Sequence, residues 1–176
     1  QYHIKQAVGR ELPIIREKAA EATAATGFRL GRAVNYNLLQ SLPHHSHNSD
    51  FAIKYVNGCI NIAGRDGNGA ETNLNNAAGT LFGVYHYLAK GMGIRWLWPG
   101  KTGEYIPKTT QLKLDDTLDG VYPASFQFVT AREKKKNPEA FRWGRRVMHL
   151  DNTGYIRDAG QSGHAFGNWA ERYGKD

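Results

Sequence analysis

Cysteine is almost absent from this chain: Cys59 stands alone among 176 residues. A single thiol can form neither an internal disulfide nor a cysteine-based zinc cluster, and it fits any redox compartment. Long apolar runs are also missing. Although 40% of the residues are hydrophobic, nothing approaches the roughly 18 consecutive apolar residues of a transmembrane helix, so no membrane span is expected. Acidic residues are the minority charge, 16 against 23 Lys and Arg, for a net +7. That excess is local. Residues 130–146 hold seven basic and two acidic side chains, a net +5, which leaves +2 for everything else. The chain opens at Gln1 without a methionine or a charged-then-apolar leader and ends at Asp176. It is therefore expected to be a segment of a longer protein, and a missing signal peptide says nothing about export.

The most organised stretch is residues 79–107, GTLFGVYHYLAKGMGIRWLWPGKTGEYIP. Its apolar spacing predicts a helix whose buried stripe is Ala77, Leu81, Val84, Tyr85 and Leu88. Asn75 or Asn76 would cap the start, and Gly91 and Gly93 would supply the left-handed turn that ends it. Residues 94–98 then read as a short aromatic strand stopped by Pro99-Gly100. Upstream, residues 1–10 read as a leftover strand or linker. Residues 12–26 read as a helix with Pro13 in its first turn and Gly27 at its end. A short strand over 28–34 and a polar loop over 35–50 follow. The clearest local signal is a hairpin: Phe51, Ile53 and Tyr55 alternate with Ala52, Lys54 and Val56 before Asn57-Gly58, and Ile60 and Ile62 then alternate with Asn61. Asn-Gly tolerates the two positive φ angles of a type I′ turn. Residues 64–76 form a glycine- and asparagine-rich connection, 111–114 a last short strand and 115–120 a polar linker. A domain boundary is placed near residues 121–123. A strand is read around Phe126, Phe128 and Val129, and no internal repeat is present.

The helix GTLFGVYHYL, followed by GIRWLWPG and then GEYIP, resembles the end of the non-catalytic α/β domain that precedes the barrel in several glycoside hydrolases. The similar families are the family 67 α-glucuronidases, the family 20 β-N-acetylhexosaminidases and related bacterial proteins. The resemblance covers residues 12–114 and continues more weakly to the C-terminus. It implies an α+β sandwich, with a mixed sheet of about four strands and two main helices on one face. Residues 1–120 would be this accessory domain. Residues 121–176 would be the first strand and long loop of an incomplete (β/α)8 barrel. Secretion or a periplasmic address is implied by the resemblance alone.

Several motifs carry a possible chemistry beside a plainer reading. His44-His45-Ser46-His47 is dense in metal ligands but has no fixed-spacing partner to close a site, so a solvated loop is favoured. Gly64-Arg65-Asp66-Gly67-Asn68-Gly69 follows a strand and precedes a helix, yet matches neither phosphate-loop pattern, and reads as a connection. Trp96 and Trp98, two apart on a strand, point to one face. They make either a platform for sugar rings or, as favoured here, the filling of a joint with a neighbouring unit. Arg95 and Leu97 would face the other way. The basic run 132–146, interleaved with Phe141 and Trp143, is a nucleic-acid footprint on one reading. Glu133 and Glu139 interrupt it and no accompanying signature supports that, so a solvated face is favoured.

Arg132 is the best candidate for a bidentate contact with a sugar carboxylate. The resemblance implies an arginine that holds the terminal sugar shortly after the first barrel strand. His164, in Gly163-His164-Ala165-Phe166, resembles a glycine-histidine-aromatic segment of the related bacterial proteins and would meet substrate through a ring nitrogen; a structural histidine is the competing reading. Trp98 completes the substrate-binding candidates. Asp151, Asp158 and Glu171 are available carboxylates, but nothing fixes a flanking pair of the kind glycoside hydrolysis needs. The catalytic acid and base are expected beyond Asp176.

The expectation is therefore an accessory domain that braces a glycoside-hydrolase barrel acting on uronic-acid or N-acetylhexosamine substrates, itself inactive, with no cofactor or metal. Its partners would be carbohydrate, through the barrel, and the rest of its own chain, with no nucleic acid and no membrane. The alternatives are a carbohydrate-binding or scaffold module and, behind it, nucleic-acid binding through the basic run.

Overall fold

The computed structural model describes residues 1–15, 26–31, 38, 40–42, 49–68, 77–112, 116–125 and 137–148. In chain order these form α1 (Tyr2–Val8), β1 (Gly27–Leu30), β2 (Phe51–Val56), β3 (Cys59–Gly64), α2 (Gly79–Lys90), β4 (Arg95–Trp96), β5 (Glu104–Tyr105), β6 (Gly120–Tyr122) and α3 (Pro138–Met148). Single 3-10 turns at Lys101–Gly103 and Asp116–Leu118 precede β5 and β6. The fold is mixed α+β: a four-stranded mixed sheet with three helices among the described residues.

The hairpin nucleates the sheet. Asn57 and Gly58 both take positive φ, 49° and 78°, so the turn twists with its strands and sets the register Val56↔Cys59 through Phe51↔Gly64. β1 adds to the far side of β3 in parallel, and β6 adds to β2 antiparallel, giving the order β1-β3-β2-β6. Ile53, Ile60 and Ile62 meet Phe82 and Tyr87 of α2 in the main core. Ala52, Cys59 and Ala63, on the opposite face of the sheet, are buried as well. The first three residues of Phe51–Val56 are dry on both sides, and the last three are exposed.

α2 lies against β3 and β2 because its glycines let it come close. A Cβ on Gly83 would stand 2.5 Å from Ile62 Cγ2, and one on Gly64 would run into the backbone of Gly79. The start of α2 is capped from a distance. Its N-cap, Ala78, has no side-chain bond to give; instead Asp66 Oδ1 accepts the Thr80 N–H at 3.0 Å, and Thr80 Oγ1 accepts the Gly64 N–H at 3.0 Å. Asn75 and Asn76 lie outside the described residues. At the other end Gly93, with φ 71°, is left-handed, whereas Gly91 is right-handed helical and its N–H bonds Tyr87 O.

Several expectations need correction. The buried set of α2 is Gly79, Phe82, Gly83, Tyr87 and Leu88, while Leu81, Val84 and Tyr85 are only partly buried. The helix has cover on two flanks, the sheet on one and α1, β4 and α3 on the other, so its apolar surface is no single stripe. Residues 2–8 are helical rather than a strand or linker, closed by Gly9 at φ 76°. Residues 12–15 are not helical, and the rest of the helix expected over 12–26, apart from Thr26, lies outside the described residues. The aromatic strand shrinks to Arg95–Trp96, paired with Glu104–Tyr105 in a separate two-stranded ribbon. Gln111 and Leu112 are not in a strand. The fourth strand of the sheet is β6, from a stretch read as the end of a linker and a boundary, where Phe51 pairs with Tyr122 and their rings stack 5.0 Å apart.

Candidate functional site

The β4–β5 ribbon places its side chains by the two-residue alternation of strands. Arg95, Leu97 and Tyr105 are exposed, whereas Trp96 and its cross-strand partner Glu104 turn inward. The expectation that Arg95 and Leu97 face away from Trp96 agrees with this arrangement. Trp96 sits with Leu88 and Ile94 in a second apolar cluster, against Ile4 of α1, Tyr85 of α2 and Trp143 of α3.

Around that cluster the polar groups interlock. The Trp96 indole N–H donates to His3 Nε2 at 3.1 Å, and the two rings meet edge to face at 5.4 Å. The Trp143 indole N–H donates to the Trp96 carbonyl at 2.8 Å. Arg146 Nη1 donates to Glu104 Oε1 at 2.6 Å, and its guanidinium lies over the Trp96 ring at 5.8 Å. Glu104 is nearly enclosed, so its charge is offset by a charge-assisted bond at close range rather than by water. His3 Nε2 also lies 3.6 Å from Glu104 Oε1. That distance is too long for a hydrogen bond, and the ring nitrogen is already an acceptor. Burial holds the His3 pKa below its usual value; Glu104 opposes the shift and Arg146 adds to it.

Trp96 and Trp98 do not share a face or an environment. Trp96 is 6% exposed and Trp98 is 51% exposed, because β4 ends at Trp96 and the chain then turns. The Trp98 indole N–H donates to Thr102 Oγ1 at 3.2 Å. Its indole stands half in solvent beside the exposed Leu97 on the same turn. Arg132, His164, the histidine loop and the carboxylates Asp151, Asp158 and Glu171 lie outside the described residues.

The basic run is not a solvated face where it can be followed. Arg145 is 2% exposed, with its guanidinium 5.4 Å from the Phe82 ring and 5.6 Å from the Phe141 ring. Phe141 is buried, and Arg142 is exposed. α3 turns two of its three arginines inward because aromatic faces and Glu104 are there to receive them. Within 64–68, Asp66 occupies the start of α2 with its own carboxylate, so the dipole end that an anion would seek is already filled. No group of three or more His, Cys, Asp or Glu side chains is placed to hold a metal among the described residues, and no described helix is long and apolar enough to cross a membrane.

Comparison with protein-family models, with curated proteins and with solved structures gives no match. The residues of the joint were not legible as a group. His3 lies in a stretch read as a leftover strand or linker and Glu104 past the Pro99-Gly100 stop, 101 positions apart. The available signal was the inward-facing pair Trp96 and Glu104, visible only once the ribbon register is known.

Proposed function

We propose that residues 1–120 are an accessory domain that braces the catalytic barrel of a glycoside hydrolase, with residues 121–176 beginning a (β/α)8 barrel. The barrel would hydrolyse glycosidic bonds of uronic-acid or N-acetylhexosamine type. The observation that carries this reading is the seat made by the β4–β5 ribbon for α3. Trp96 lies buried beneath it, its carbonyl receives the Trp143 indole N–H, and Glu104 receives Arg146. A ribbon devoted to holding a later segment in place is suited to support rather than chemistry. Support is also consistent with four carboxylates that the packing engages. Glu104 is engaged by Arg146, Asp66 by the Thr80 N–H, Asp50 by the Ala124 N–H at 2.7 Å and Asp119 by the Tyr55 N–H at 2.6 Å. None of these is one of a pair flanking an open site.

A second reading, a carbohydrate-binding module, is favoured by one observation: the half-exposed indole of Trp98, which would stack on the C–H face of a sugar. One preparation tests both. Residues 1–176 are expected to show no turnover of aryl glycosides, and measurable hydrolysis would overturn the bracing role. Calorimetric titration of the same preparation with uronic-acid oligosaccharides separates the second reading: binding that Trp98→Ala abolishes would replace the first with it.

A further inference from the structure

We propose that His3 is an acid-sensitive latch that fastens α1 to the β4–β5 ribbon, through the hydrogen bond its Nε2 accepts from the Trp96 indole. The inference stands whether or not the chain serves a glycoside hydrolase. Indole N–H can only donate. For Trp96 to donate to His3 Nε2 at 3.1 Å, that nitrogen must carry its lone pair, which fixes the proton of the neutral ring on Nδ1. A second proton has one place to go, Nε2, and there it faces another donor. The bond is then lost, and the Trp96 N–H is left in a buried cluster without its acceptor.

The groups facing the ring decide whether the protonated form finds compensation. From α1 comes the Tyr2 phenol, whose ring meets His3 edge-on at 5.1 Å. From β4 comes the indole edge, and from β5 the Glu104 carboxylate at 3.6 Å. From α3 comes Arg146, already bonded to the same Oε1 at 2.6 Å. Glu104 is therefore a shared and distant partner, and the Arg146 guanidinium repels a second cation. Burial, the largest influence, works in the same direction by disfavouring charge.

The direction with pH follows. In the unfolded chain His3 protonates near pH 6.5, while the docked ring resists, so docking is at full strength above that value and weakens as pH falls toward the lowered folded value. α1 has few other holds besides the buried Ala7 and the Tyr2 phenol beside Glu104. Ile4 reaches the Trp96 cluster, the Thr109 N–H donates to Ala7 O at 2.9 Å, and Lys108 Nζ reaches Gln6 O at 2.5 Å. Release of α1 uncovers Trp96 and one side of the seat for α3.

The Thr109 amide reports docking directly, because its acceptor belongs to α1. Hydrogen exchange of residues 1–176, corrected for the intrinsic pH dependence, is expected to speed up about tenfold at Thr109 between pH 7.5 and pH 5, as loss of one buried hydrogen bond implies, while Ile60 and Ile62 in the sheet hold steady. His3→Gln, whose amide oxygen accepts the indole proton without titrating, should abolish the change; His86→Gln, which alters the half-buried histidine between Phe51 and Tyr122, should not. The proposal is overturned if Thr109 exchange is independent of pH or responds equally in His3→Gln. If that variant does not fold, the native protein decides by NMR. The Trp96 indole proton must shift with the same midpoint as the His3 ring protons, and an indole resonance that stays still while His3 titrates overturns the latch.

Discussion

Removing the indole of Trp96 and that of Trp98 separately tests whether the ribbon is a joint or a platform, because two residues that look equivalent in sequence have unequal surroundings. Trp96 is 6% exposed, and a buried tryptophan covers on the order of 200 Å². At about 25 cal/mol per Å² that burial corresponds to about 5 kcal/mol, in line with the roughly 3–5 kcal/mol that aromatic-to-alanine changes cost in cores. His3 Nε2 would also lose its donor. Trp98 has half its surface in water and one edge bond to Thr102, so the same change should cost about 2–3 kcal/mol. Urea unfolding followed by circular dichroism measures both. Trp96→Ala should lower stability by at least about 2 kcal/mol more than Trp98→Ala, a gap of roughly 4–8 °C in Tm for a chain of this size. Equal losses would mean that Trp96 is not buried by α1 and α3, and the reasoning that makes the ribbon a seat would fail with it.

Gly83→Ala sets two terms against each other. Helix propensity favours alanine by about 1 kcal/mol, but its methyl would sit 2.5 Å from Ile62 Cγ2 and 3.1 Å from the Phe51 ring, both of them buried. Overpacking of this kind costs about 1–3 kcal/mol, so the variant should lose up to about 2 kcal/mol in denaturant unfolding, and a gain in stability would contradict the close helix–sheet contact. Asp66→Ala removes the carboxylate that accepts the Thr80 N–H and should cost about 1 kcal/mol, whereas Asp66→Asn keeps an acceptor and should lose only part of that; thermal unfolding of the pair checks it, and an unchanged Tm in the alanine variant would place the cap elsewhere.

Local physics made part of this molecule readable in advance. Asn57-Gly58 can meet the two positive φ angles of a tight hairpin whatever surrounds it, so the hairpin and its register followed from neighbours in sequence. The same holds for the existence of α2, whose apolar residues recur at helical spacing, and for the outward direction of Arg95, which strand alternation fixes once Trp96 is inside. What the chain could not declare locally is which surface each element meets. Asp66 caps a helix that begins 13 residues later, β6 joins β2 across 71 positions at Phe51↔Tyr122, and Trp96 finds its acceptor 93 residues away in α1. Trp96 and Trp98 carry the same side chain at strand spacing, and only the arrival of α1 and α3 on one of them makes it core. Arg145 and Arg146 read as solvated for the same reason: an arginine is buried when a ring face or a carboxylate is already waiting for it, and that partner is supplied by the packing of distant segments, not by the residues beside it.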